Sequence, residues 1–151
     1  ARLTENLDVF AALGIQEGKN KGVPADLTAL IGSQPQRLPK YSGNLGFTNR
    51  FPLPNGDAIV VSSNWQYQKD HFTNVQNSPL GRSGDINVVN ASLFYKKQED
   101  RFEVGVSCRN CLDDTYITTS LDFLETPGFN FFNVYTSEPM TWLLTFRARF
   151  Y

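Results

Sequence analysis

The chain is poor in the residues that carry most catalytic and metal chemistry. It has one histidine, one methionine and two cysteines in 151 residues. A structural zinc site generally takes four Cys or His ligands, and beyond Cys108 and Cys111 only His71, Asp113 and Asp114 stand ready to add donors. A redox Cys-x-x-Cys pair works at a helix N-terminus, which lowers the thiol pKa. Here Val104-Gly105-Val106-Ser107 precede the pair and Leu112-Asp113-Asp114-Thr115 follow it, a strand and then a turn. Positions i and i+3 of a regular strand face opposite ways, so a disulfide between them requires a bend. His71 has no nucleophile or orienting carboxylate at a telling spacing. The expectation is no metal, no cofactor and no enzyme activity.

Charge of one sign is also missing. Fourteen Lys+Arg balance 15 Asp+Glu for a net charge of -1, which argues against a nucleic-acid binder and leaves no polybasic patch for a membrane surface. No run approaches the roughly 18 apolar residues of a transmembrane helix. The N-terminal Ala1-Arg2-Leu3-Thr4 carries neither Met nor a signal-peptide pattern, as expected of a start removed by processing or truncation. Asn90-Ala91-Ser92 matches a glycosylation sequon, but on a strand it carries no weight.

What the chain does have is aromatic residues, 12 Phe and 6 Tyr among them, and alternation. Met140, Trp142, Leu144, Phe146, Ala148 and Phe150 fall on one side of an extended chain; Thr141, Leu143, Thr145, Arg147, Arg149 and Tyr151 fall on the other. Five earlier segments separate in the same way, around 7–15, 40–53, 57–70, 89–96 and 102–109. Their apolar sides contain no Asp, Glu, Lys or Arg. The first segment also suits a short helix ending at Gly14, and 25–31 suits a helical turn.

The links between segments alternate in length. Pro54-Asn55-Gly56-Asp57 and Gln98-Glu99-Asp100 are tight turns. Residues 17–39, 70–85 and 113–139 are long and rich in Gly, Pro, Asn, Ser and Asp. Short links then lie at one end of the sheet and long links at the other. No internal repeat or linker divides the chain. The fold class expected is all-β: an antiparallel up-and-down meander of about six long strands.

Two architectures give this pattern. In a soluble β-sandwich or lipocalin-like barrel, a ligand-binding module, the apolar faces meet in a core. In a transmembrane β-barrel they face lipid. Strand length favours the second, since three segments reach the roughly 9–11 residues of a tilted spanning strand. Trp142 and Phe150 bracket the last segment at roughly 20 Å of depth, close to the apolar band of such a barrel. The polar side, with Lys96, Glu103, Arg109, Arg147 and Arg149, is costly to bury in a core.

Several segments resemble TonB-dependent outer-membrane receptors. Leu38-Pro39-Lys40-Tyr41-Ser42-Gly43 looks like the Pro-Lys-aromatic start of a late barrel strand. Val89-Asn90-Ala91-Ser92-Leu93-Phe94-Tyr95 looks like the next hairpin. Asn110-Cys111-Leu112-Asp113-Asp114-Thr115-Tyr116 resembles the family's Asn-Leu-Phe-Asp-x-x-Tyr strand end, with cysteine where a thiol is not usual. Glu138 to Phe150 is similar to the final strand, and Thr4 to Gly14 to an earlier one. The resemblance spans nearly the whole chain, but such receptors have about 22 strands around a plug. It therefore implies that residues 1–151 are the C-terminal portion of a barrel, without the plug and the remaining strands.

The resemblance also implies a location and a task. The chain would lie in the outer membrane of a Gram-negative bacterium, with Tyr151 and the short turns periplasmic and the long links extracellular. It would serve uptake of a scarce ligand such as a ferric siderophore, driven indirectly by the TonB system. Its partners would be outer-membrane lipid, the plug, the barrel-assembly machinery and the small-molecule ligand. Trp142, Leu144, Phe146 and Phe150 would form the C-terminal assembly signal, with Tyr151 one residue beyond the expected end. Arg109, Arg147 and Arg149 would face the lumen, against the plug or the path, or simply as solvated charge. Phe129, Phe131, Phe132 and Tyr135 would grip the ligand or pack among neighbouring loops.

Overall fold

A computed structural model describes residues 1–22, 32–98, 101–124 and 127–150. Six strands form one antiparallel sheet in the order β1-β2-β3-β4-β5-β8: β1 Leu7–Ile15, β2 Tyr41–Pro52, β3 Ala58–Gln68, β4 Ile86–Lys96, β5 Phe102–Arg109 and β8 Thr141–Ala148. Two more, β6 Ile117–Asp122 and β7 Phe132–Thr136, pair only with each other. The meander expected from the alternation is present, and the first segment is a strand. The helical turn expected at 25–31 and most of the turn at 98–100 lie outside the described residues. The β6–β7 hairpin is additional to the expected six strands and occupies the middle of the third long link.

The register aligns like with like across the sheet. Phe51, Ile59, Tyr95, Val104 and Phe146 are successive cross-strand partners, and so are Asn49, Val61, Leu93, Val106 and Leu144. On the other face Asp8, Thr48, Ser62, Ser92, Ser107 and Leu143 follow one another. A slip of one residue would mix the two sets, so the alternation fixes the register.

The apolar face is not covered. Leu144 is 77% exposed, Phe146 67% and Trp142 63%. Among the described residues, the buried hydrophobic side chains are only Ala58, Ile86 and Cys108. The exposed surface is 10371 Å², about a third more than the roughly 7,700 Å² of a compact monomer of this mass. A sandwich or lipocalin-like module needs apolar faces that meet, and here they do not. The sheet is also unclosed: among the strands β1 pairs only with β2 and β8 only with β5, and residues 1–3 fold back along the outer edge of β1 from Leu7 to Val9.

The polar face is concave, with a hollow of about 470 Å³ lined by Phe10, Thr48, Ser62, Asn64, Asn90 and Ser92 among others. Two of its aromatic rings lie over glycines of the neighbouring strand, Phe10 over Gly46 and Phe94 over Gly105. A Cβ at either glycine would overlap the ring. The ring covers the bare backbone that glycine leaves, a cross-strand pairing that supports a bent sheet.

Candidate ligand-binding mouth

All three long links gather at one end of the sheet and bond to one another. Asn77 Nδ2 donates to the Gln34 carbonyl (2.9 Å), and the Gln34 N–H donates to Asn77 Oδ1 (2.7 Å). The guanidinium of Arg37 donates to the Thr119 hydroxyl, and the Arg37 N–H to the Phe72 carbonyl (2.8 Å). These bonds tie the link before β2 to the link before β4 and to β6.

The centre of this head is a buried polar hub. Thr73, Asn74, Ser78 and Ser120 are each less than a tenth exposed. Their protons run one way. Asn74 Nδ2 donates to Ser120 Oγ (3.0 Å), Ser120 Oγ to Thr73 Oγ1 (2.7 Å), and Thr73 Oγ1 to the Gly81 carbonyl (2.8 Å). Each buried hydroxyl is satisfied, as burial demands. A Cβ at Gly81 would meet both Ser120 Oγ and Asn74 Nδ2, so only glycine fits there. The Ser78 hydroxyl beside Asp122 holds that carboxyl below its ordinary range.

Ion pairs brace the rim. Lys69 Nζ lies 2.9 Å from Asp85, which lowers the Asp85 pKa and raises that of Lys69. Arg82 Nε donates to Asp70 (2.6 Å), and its guanidinium stacks 4.9 Å from the Phe72 ring centre.

A second buried node sits where β5 leaves the sheet. Asn110, at φ 47°, donates through Nδ2 to the Asp114 carbonyl (2.9 Å) and the Glu138 carbonyl (3.0 Å), while its N–H donates to Asn90 Oδ1 (3.0 Å). The left-handed backbone at Asn110, which asparagine tolerates, supplies the bend that a Cys108–Cys111 disulfide requires, and the structure holds that disulfide, with Cα atoms 5.6 Å apart. The cysteines close a strand-end turn. Asp113 and Asp114 serve as caps, accepting from the N–H groups of Met140 (2.8 Å) and Asn87 (2.7 Å). Among the described residues no group of three His, Cys, Asp or Glu is placed to hold a metal.

The β6–β7 hairpin roofs the upper polar face. Beneath it run two adjoining hollows of about 360 and 340 Å³ that share Val88, Tyr116 and Thr118. His71 and Arg37 lie at one end; Arg109 and Glu138 lie at the other. At the hairpin tip Phe123, Phe129 and Phe131 pack together with ring centres 5.0–6.3 Å apart. Phe129 stays 56% exposed and Phe131 45%.

Of the aromatic residues singled out in the sequence, Phe129 and Phe131 therefore share one cluster. Phe132 opens β7, and Tyr135 lies farther along it, exposed. Phe129 and Phe131 pack on one another and on Phe123 and keep open faces. Phe123 was missed because it closes a strand edge rather than sitting in an aromatic run.

The three arginines are not one site. Arg109 ends β5 at the mouth and lines the groove, with no side-chain partner among the described residues. Arg147 is on the same face at the other end, 3.5 Å from Glu103, which also pairs with Lys96 at 3.1 Å. Six residues of β5 separate the two, roughly 20 Å. Arg149 follows β8, its N–H donating to the Arg101 carbonyl (2.9 Å). Trp142, Leu144 and Phe146 lie together on the apolar face of β8, and Phe150, beyond it, is 94% exposed.

At the short-turn end, Asp57 is 2% exposed and accepts from the Tyr95 hydroxyl, the Gln98 N–H (2.9 Å) and Asn55 Nδ2 (2.6 Å). These donors, the tyrosine first, hold its carboxyl below the ordinary value of 3.8.

No family model matches the sequence, and no curated protein matches it. Among solved structures, the chain is similar to BauA, the ferric preacinetobactin receptor from Acinetobacter baumannii, with a TM-score of 0.70 at 12% identity. The match covers 94% of this chain and 19% of that one, so the chain spans about a fifth of the receptor's length. At that identity the likeness is one of fold, and it fixes the architecture: these strands adopt the arrangement of one portion of a siderophore receptor.

Proposed function

We propose that the chain is the C-terminal part of the β-barrel of a TonB-dependent outer-membrane receptor, and that the whole receptor imports a scarce ligand such as a ferric siderophore. One observation carries the reading. A single curved sheet exposes a continuous apolar face, hollows its polar face, and gathers its long loops at one end, in the arrangement of a solved siderophore receptor. Such a sheet is stable where lipid covers the outside and water fills the inside.

In this reading the exposed rows with Leu144 and Phe146 meet lipid, and the barrel-assembly machinery engages β8. The serine and asparagine rows face the lumen, and the plug and the remaining strands complete the wall. Phe123, Phe129 and Phe131 form an apolar contact for the ligand at the mouth. Glu103 pairs with both Lys96 and Arg147, leaving one net positive charge near the periplasmic end. The TonB system acts on the plug and touches no residue of this chain.

The test is fractionation of cells followed by immunoblotting with antibody to residues 17–39, on boiled and unboiled samples. A heat-shifted band in the outer membrane, several times heavier than 17.0 kDa, together with lost growth on ferric siderophores when the gene is deleted, is the expected result. A soluble band near 17.0 kDa would overturn it.

A further inference from the structure

His71 takes no part in the hub or the aromatic tip, yet its ring is built into the wall of the groove. The residue is 6% exposed. Its Nδ1 lies 3.1 Å from the Lys69 carbonyl and 3.2 Å from Ser83 Oγ. The carbonyl only accepts. The one proton of Ser83 Oγ goes to the Gly84 carbonyl (2.8 Å), and Ser83 Oγ itself accepts from the His71 N–H (3.0 Å). Both neighbours of Nδ1 are therefore acceptors, so Nδ1 carries the hydrogen. In the neutral ring Nε2 is then the nitrogen with the free lone pair.

Nε2 has no protein partner among the described residues, and it is not sealed off either. The single enclosed, unsatisfied side-chain atom among them is Asn44 Oδ1. His71 lines the hollow of about 360 Å³ between Gln66, Gln68 and Val88 of the sheet and Tyr116 and Thr118 of the hairpin. The roof over it is held by the Ser120 hub, so the space does not depend on a ligand to form.

We propose that His71 Nε2 is a hydrogen-bond acceptor subsite in this groove, selecting a ligand group that carries an N–H or O–H donor, such as a secondary amide or an alcohol. The proposal rests on the reading of this end of the sheet as a ligand-binding mouth. A neutral ring locked by two acceptors on one side cannot turn to offer a donor on the other. The subsite therefore discriminates against the same group when its donor is methylated, because the nitrogen would then lose water without gaining a partner.

The test uses the full-length protein in detergent micelles. Diethyl pyrocarbonate is the first probe, with labelling of His71 read by mass spectrometry and the His71→Gln protein as the control for assignment. Folded protein is expected to be labelled at Nε2. Acetanilide, which has an amide N–H, is expected to slow that labelling about threefold or more by occupancy, and N-methylacetanilide, which lacks the hydrogen, to leave it unchanged. A residue labelled only after denaturation, equal protection by both amides, or protection by neither would each overturn the proposal. The heat-shifted gel band of His71→Gln shows that the variant folds. None of these readouts involves transport, so a protein that labels selectively but imports nothing would defeat the transport reading and leave the subsite standing.

Discussion

Single residues set the tolerances of this sheet. Gly105 lies under the Phe94 ring, with the Leu93 carbonyl 2.6 Å from where a Cβ would stand. Gly105→Val is expected to cost about 1–3 kcal/mol through overpacking, read from urea unfolding of the full-length protein in lipid, while Gly84→Ala, where a Cβ meets nothing, reports only the cost of its positive φ. Asp57 carries a pH dependence. Its folded pKa is depressed by the Tyr95 hydroxyl, so its contribution is present above the unfolded value near 3.8 and is lost as pH falls through the lower folded value. Wild-type protein is expected to lose stability below about pH 4 more steeply than Asp57→Asn, as an acid titration of unfolding in detergent would show. Neither the glycine pairing nor the Asp57 node is legible in the sequence, because each joins residues far apart in the chain. Alternation puts Phe94 and Gly105 on the polar sides of their strands, but nothing in the spacing says that one covers the other.

At the scale of elements, legibility follows strand length. β2, β3 and β4 have 11 or 12 residues each, enough repeats of the alternation to separate from chance. β6 and β7 have six and five, and their register shifts between Ile117 and Thr119. Such a hairpin is hidden in a polar link, and what orients it is the Thr73–Ser120 contact across 47 residues, which no local pattern reveals. The Ser120→Val protein is expected to lose hydrogen-exchange protection across 117–136 while β2 to β4 keep theirs, since a buried donor chain is broken at its middle. Equal protection in both proteins would mean that the hub does not hold the hairpin. On β8, Leu144→Arg is expected to cost about 2–4 kcal/mol in lipid if the position is near mid-bilayer, and Thr145→Arg much less. Equal costs in folding into vesicles would overturn the assignment of faces.

For the molecule as a whole, the decisive property is a sheet without a core. The sequence showed two unlike faces; it could not show whether the apolar faces meet, because that depends on how far the sheet closes. The edges at β8 and at β1 beyond Val9 carry backbone groups with no neighbouring strand, which invite other strands. Expressed alone, residues 1–151 are expected to aggregate in buffer and to become dispersed, β-rich and heat-sensitive in detergent, measurable by sedimentation and circular dichroism. A monodisperse monomer in buffer would contradict the exposed apolar face. The strand-end disulfide adds an order of events. Its partners are three residues apart, so closing it takes the local bend at Asn110 and no pairing between the cysteines and a distant strand. On the proposed reading of a barrel assembled in the outer membrane, oxidation is expected to precede insertion, so that the turn which launches the hairpin arrives already tied; a pulse-labelled chain whose cysteines still react with a thiol probe after insertion would contradict this.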